Sequence, residues 1–253
     1  MKRISLCLLF VSILIAVVFA QENSQPKAPP IPFLMHERER LLLTQSALLL
    51  SQKQFERAEA LLQSLALPDV ARVYMDVAAV PAANQPAFQN AAQQAMEAWN
   101  QSLGSTLRFQ PTDREAEANV HIRFVASVPT KELGASRFVC FHADLETPAV
   151  GAAGNPSRRL MRVRIAVNTP SGTKVHSPTS VTHLVGQALG CFLGLSPTEE
   201  ASNLMGPDTH QPTIAVKPSE TDLRRLRQIE QVRAQLMQIA RQRIAISLTR
   251  PAL

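Results

Sequence analysis

The chain has 253 residues, 45% of them hydrophobic and 18% charged, with a formal net charge of +6. That balance excludes global disorder and allows one medium domain with appendages or two small ones. A pI of about 9.7 would suit an anionic partner, yet much of the basic excess falls in one stretch (Arg224, Arg225, Arg227, Arg233, Arg241, Arg243) with no aromatics interleaved. No nucleic-acid partner is expected from such a pattern, because a single-strand binder needs stacking residues among its cations.

Met1-Lys2-Arg3 is a basic start, and residues 4–20 are an uninterrupted apolar run ending in Val18-Phe19-Ala20, with polar Gln21-Glu22-Asn23-Ser24 beyond. This reads as a secretory signal peptide, residues 1–20, cut after Ala20, which places the mature chain in a periplasm or outside the cell. An uncleaved membrane anchor is the rival reading, and a largely apolar run of seventeen residues is at the short end for spanning a bilayer. No other segment is apolar enough to span. Cys7 leaves with the signal, so Cys140 and Cys191 remain, as a disulfide or as two buried thiols.

Residues 21–33 form a Pro-rich linker. Residues 34–67 then predict a helical hairpin. Its first helix offers Leu41, Leu42, Ala47, Leu48 and Leu49 as an apolar face; its second offers Phe55, Ala58, Leu61, Leu62 and Leu65. The phrase 47-ALLLSQKQFERAEALLQ-63 is similar to one tetratricopeptide-like unit, and a single unit cannot bury its own face. The hairpin is therefore expected to pack on the rest of the chain, with protein binding as the sharper alternative.

From residue 70 the period changes. Val73, Met75 and Val77 alternate with Arg72, Tyr74 and Asp76, a half-buried strand. Phe88, Ala92, Ala95, Trp99 and Leu103 line one face of a helix that Gly104 ends. A short strand follows at 106–109. Val120, Ile122 and Phe124 alternate with His121 and Arg123; Met161, Val163, Ile165 and Val167 alternate with Arg162 and Arg164. Residues 126–160, rich in Gly and Pro, read as loop. A last helix starts near Ser219, with Glu220 and Asp222 in its first turn, and runs to about Leu248. The alternation predicts an α/β or α+β domain over 70–249.

One stretch carries chemical meaning: 182-THLVGQALGCFLGLS-196. Two histidines four residues apart on a helix grip one metal ion, and a carboxylate beside the first activates the bound water. One class continues as H-E-x-x-H-x-x-G-x-x-H, with a Met-containing turn downstream. On this spacing His183 takes the first ligand position, Leu184 the general base, Gln187 the second ligand, Gly190 the turn and Leu193 the third ligand. Met205, in 203-NLMGP-207, stands where the Met turn belongs.

With these residues the chain resembles the matrixin-like branch of the metzincin zinc proteases over roughly residues 70–235. The Ala-Trp of 95-AMEAWN-100, the segment 107-LRF-109, the strand 118-ANVHIRF-124, the strand 161-MRVRIAV-167 and the opening of the last helix in 218-PSETDLRRL-226 carry the resemblance further. It implies a twisted mixed sheet with two packed helices and zinc-dependent peptide hydrolysis.

The catalytic set departs from that implication. Gln187 is a poor zinc ligand, Leu193 is none, and Leu184 accepts no proton, so the zinc and a base contributing ~10²–10⁴-fold in rate are both forfeited. The expectation is a pseudoprotease with no cofactor and a binding or structural role, its protein or peptide partner unknown. An active zinc endopeptidase requires a rebuilt site drawing on His176, His210, Gln187 or Cys191. The third alternative is an interaction module using the hairpin and the basic last helix. The remaining histidines include His36, His121 and His142, the last forming a C-x-H pair with Cys140.

Overall fold

The computed structural model describes residues 28–128, 141–146, 159–169, 174–200, 202–207 and 214–249. In chain order these form α1 (Glu37–Ser51), α2 (Phe55–Ser64), β1 (Val70–Asp76), α3 (Gln85–Leu103), β2 (Arg108–Pro111), β3 (Val120–Val125), β4 (Phe141–Glu146), β5 (Leu160–Ala166), α4 (Pro178–Leu193) and α5 (Glu220–Thr249). The signal segment, Cys140 and His210 lie outside the described residues. Among the described residues no helix is long and apolar enough to cross a membrane.

The strands make one five-stranded mixed sheet in the order β2-β1-β3-β5-β4. All neighbours are parallel except β4, which runs antiparallel to β5 on the edge. The alternation read from sequence is realised as two unlike faces. Val73, Val120, Ile122, Phe124, Met161, Val163 and Ile165 are buried on one side, where Phe88 of α3 meets Phe124 edge-on at 5.0 Å and Phe192 of α4 meets Phe109 at 6.1 Å. The other side carries Arg72, Arg123 and Arg162. The fold is thus α+β, with α3 and α4 packed on one face of a mixed sheet.

Strand β4 falls inside the segment read as loop. Its pattern is short and its outward positions, His142, Asp144 and Glu146, are polar, while Ala143 and Leu145 face inward opposite Val163 and Met161. Charged outward residues on an edge strand discourage further pairing. They also hide the strand from a hydrophobic scan.

Helix α3 ends where its sequence says it should, at Gly104, with φ of 63°. Asn100, one turn earlier, donates to the Phe109 carbonyl and accepts from its N–H at 2.9 and 2.7 Å, fastening α3 to β2. Helix α5 begins with a reciprocal cap: the Ser219 hydroxyl accepts from the Asp222 N–H, and the Asp222 carboxylate accepts from the Ser219 N–H at 3.0 Å.

The hairpin packs on the main domain, chiefly through α2 against α5. Leu42, Leu43, Leu61, Leu62 and Leu65 belong to the same core as the sheet and α4. The phase of α1 differs from the sequence reading. Its buried face is Glu39, Leu42, Leu43 and Ser46, whereas Leu41 and Leu48 are 53% and 55% exposed. Runs of three leucines are apolar all round the helix, so composition does not fix which side turns inward. The buried carboxylate of Glu39 does.

Candidate functional site

Helix α4 is buried along almost its whole length, from Val181 to Leu193, as befits a helix that is apolar on every side. Ser177 caps it, accepting from the Ser180 N–H at 3.1 Å, and Pro178 occupies its first turn. Against it lies α3, whose Trp99 is fully buried and donates its indole N–H to the Gly186 carbonyl at 2.8 Å.

Beneath α4 sits the turn holding Leu204 and Met205, both fully buried. A β-turn closes it through Gly206 N–H to the Asn203 carbonyl at 2.9 Å, and Thr198 N–H donates to the Met205 carbonyl at 2.7 Å. Two glycines one turn apart on α4 receive the two side chains. A Cβ at Gly186 would stand 2.9 Å from Leu204, and one at Gly190 only 2.3 Å from the Met205 sulfur. The sequence therefore places Gly190 and Met205 together, but in packing rather than in a chain reversal.

The assigned role of Gly190 as the turn is corrected. The helix runs straight through it and ends at Gly194, where φ is +107°. This shifts Leu193 as well. Positions 183 and 193 lie on one continuous helix, so they are offset by about 15 Å along its axis at ~1.5 Å per residue. No side chain at 193 can share an ion with His183. Leu193 instead fills the core, and Leu184, at the general-base position, is buried there too.

His183 and Gln187 do face one space. Their relation is not the direct hydrogen bond that their spacing suggests: both meet the carbonyl of Gly206. Gln187 donates its amide N–H to that oxygen, and His183 Nε2 lies 3.1 Å from it. The other ring nitrogen, Nδ1, contacts the Ala215 carbonyl at 2.6 Å. A backbone carbonyl from the Met-containing turn thus occupies the point between the two side chains where a zinc would be gripped, and both imidazole nitrogens face carbonyl oxygens. This donor set does not fit zinc, which takes at least three protein ligands at ~2.0–2.3 Å.

Of the replacement ligands, those among the described residues are no better placed. Among the described residues no group of three His, Cys, Asp or Glu side chains is gathered to hold an ion. His176 is buried beside the start of α4 with its backbone N–H on Val167. Cys191 is a free, buried thiol inside α4, and burial pushes it up to about 12, far from the thiolate that metal binding or nucleophilic chemistry requires.

Sequence reasoning missed the end of α4. There buried Arg159 and Glu39 and part-buried Arg233 form an ion cluster. Arg159 donates to Glu39 at 2.6 Å, to the Phe192 carbonyl at 2.6 and 2.9 Å and to the Leu65 carbonyl at 3.1 Å, with its guanidinium over the Phe192 ring. Arg233 pairs with Glu39 and donates to the Leu193 carbonyl at 2.8 Å. Burial works against the Glu39 charge, but the two guanidinium groups outweigh it and hold the carboxyl below its usual range. The cluster satisfies the last carbonyls of α4 and opposes its dipole. Gly194 has to be glycine here: its φ is left-handed, and a Cβ would stand 2.7 Å from both Glu39 and Arg233. Little in the sequence hinted at the cluster, because Glu39 is one of two glutamates in the charged first turn of α1.

The same accounting removes much of the basic surface expected of α5. Arg225 is buried and donates to the Leu34 and Ser196 carbonyls at 2.9 and 3.0 Å, Arg227 pairs with Glu220, and Arg241 pairs with Glu59 at 3.0 Å.

On the polar side of the sheet, a cavity of about 180 Å³ is lined by Tyr74, His121, Arg123, Asp144, Arg162 and Arg164, among others. Arg123 is paired with Asp76 at 2.9 Å and Arg162 with Glu146, so acids accompany its cations and no one ligand charge is selected. His142, opposite Arg164 of β5, belongs to this face. Set against known proteins, the chain matches no family profile and no curated sequence.

Proposed function

We propose that the chain is an exported protein with a matrixin-like metallopeptidase fold whose zinc site has closed, and that it acts by binding or as a structural element rather than by peptide hydrolysis. One observation carries the reading: the Gly206 carbonyl stands between His183 and Gln187. Further support comes from the mixed sheet with two packed helices, and from the Met-containing turn seated under the helix that holds His183. Leu184 offers no general base, and an undivided α4 offers no third ligand position. Export rests on the apolar run at 4–20.

The test is the zinc content of the purified mature chain, by elemental mass spectrometry after mild chelation. The expected result is no retained zinc. Equimolar zinc that disappears in His183→Ala would overturn the proposal and direct attention to His176, His210 and Cys191.

A second reading, the hairpin as a protein-binding element, is favoured by the exposed Leu41 and Leu48. It ranks lower because the opposite side of the same helices is built into the shared core.

A further inference from the structure

The cavity of about 180 Å³ on the polar face of the sheet has a floor built from outward-pointing side chains. In register, Tyr74, His121, Arg162 and Asp144 make one row across four strands, and Arg123 and Arg164 stand side by side in the next. Two of the arginines are tethered from opposite sides. Asp76 of β1 holds Arg123, and Glu146 of β4 holds Arg162, in each case through the guanidinium Nε. Neither arginine makes another hydrogen bond among the described residues, and both side chains are more than half exposed. The Nη ends of both forks are therefore left for a ligand or for solvent. Asp144 is their acidic counterpart. It stands opposite Arg162 in register, it is exposed, and it makes no hydrogen bond or ion pair among the described residues, while Arg162 pairs with Glu146. The remaining acid of the lining, Glu115, faces His121 Nδ1 at 3.6 Å. The Tyr74 and His121 rings, with centroids 6.2 Å apart, and the aliphatic stems of the arginines supply an apolar wall.

We propose that this cavity binds a small zwitterion of the free amino-acid class, its carboxylate on the Nη ends of Arg123 and Arg162 and its ammonium on Asp144. A planar carboxylate matches the guanidinium fork. The lining is neutral as a whole, with Arg123, Arg162 and Arg164 set against Asp76, Glu115 and Asp144. It matches a ligand that is charged at both ends and neutral overall. A bare anion leaves Asp144 beside it uncompensated, and a bare amine meets the arginines. The aliphatic part of the ligand lies along the Tyr74 ring and the arginine stems. The cavity is on the other side of the sheet from His183 and Gln187, so the inference is independent of the state of the zinc site.

NMR of the full mature chain with carbon-13-labelled tyrosine tests it, since Tyr74 is the only tyrosine and its ring lines the cavity. The probes are L-leucine, 4-methylpentanoate (leucine without its amino group), 3-methylbutylamine (leucine without its carboxylate) and inorganic phosphate. L-leucine is expected to shift the Tyr74 ring signals saturably by about 10 mM. It is expected to bind about tenfold or more tighter than each of the others, because each lacks one of the two charged contacts. Arg162→Gln and Asp144→Asn, both at exposed positions, are expected to weaken leucine by about tenfold or more. No saturable shift with L-leucine, equal or tighter binding of any other probe, or unchanged leucine affinity in either folded variant would each overturn the proposal. Where a variant does not fold, the comparison of probes on the parent chain decides.

Discussion

Completing the three-histidine pattern will not create a zinc site. In a Gln187→His/Leu193→His chain the three-histidine pattern is complete on paper. Zinc ligands must come within ~2.0–2.1 Å of the ion, and position 193 is offset from His183 by about 15 Å along an unbroken helix. The Gly206 carbonyl, moreover, already lies 3.1 Å from His183 Nε2. If a working site did form, zinc at a hundred times its dissociation constant would stabilise the fold by about 2.7 kcal/mol. A domain of this size gains ~2–4 °C per kcal/mol, so the melting temperature would rise by about 5–10 °C. The expected shift is under about 1 °C, read by thermal denaturation of the double variant with and without zinc, with metal content measured alongside. Losing buried Leu193 lowers both curves equally and does not affect the difference. A zinc-dependent rise of 5 °C or more with equimolar metal would refute the reasoning, since it would require α4 to break at Gly190.

Two further perturbations probe the parts that hold α4. Gly190→Ala puts a Cβ 2.3 Å from the Met205 sulfur and 3.2 Å from Trp99, so Met205 must move while Trp99 blocks the way; urea denaturation should show a loss of about 1–3 kcal/mol. Glu39→Gln leaves the Arg159 and Arg233 guanidinium groups facing each other in a buried site, and equilibrium unfolding at neutral pH should show a loss of about 3–5 kcal/mol. The pH dependence follows from the same carboxylate. Its folded value is depressed, so its contribution is complete above the unfolded carboxyl value of about 4.5 and fades as pH falls through the folded value below that. Glu39→Gln should flatten the acid limb of the stability profile below about pH 4.5.

The strands and helices with a strong period were legible because burial on one side imposes that period. Val120, Ile122 and Phe124 could face only inward, and Phe88 to Leu103 could form only one helical face. Strand β4 was hidden because it is short, its outward positions His142, Asp144 and Glu146 are polar, and its strand character comes from pairing with β5, which is a long-range fact. The face of α1 was hidden because leucines surround the helix and a carboxylate chose the side. At the site, ligand spacing located His183, Gln187 and the Met205 turn, and residue chemistry excluded Leu184 and Leu193 as base and ligand. Spacing could not reveal that α4 continues past Gly190, since a glycine is tolerated inside a helix as well as at its end. Which glycine ends the helix is decided by what waits beyond it.

What waits beyond Gly194 ties the two halves of the molecule together. In a zinc helix of the resembled kind, the chain must reverse early so that a third ligand can swing back to the ion. Here α4 runs unbroken to Leu193, and its last carbonyls, those of Phe192 and Leu193, are met by Arg159 and Arg233 with Glu39 between them. Glu39 belongs to α1, so the charge that pairs with both guanidinium groups arrives with the N-terminal hairpin. Removing that anion from the intact chain leaves Arg159 buried without its partner, a change that costs several kcal/mol. The hairpin completes the end of α4, the unbroken α4 carries position 193 out of reach of His183, and the carbonyl of Gly206 meets both His183 and Gln187.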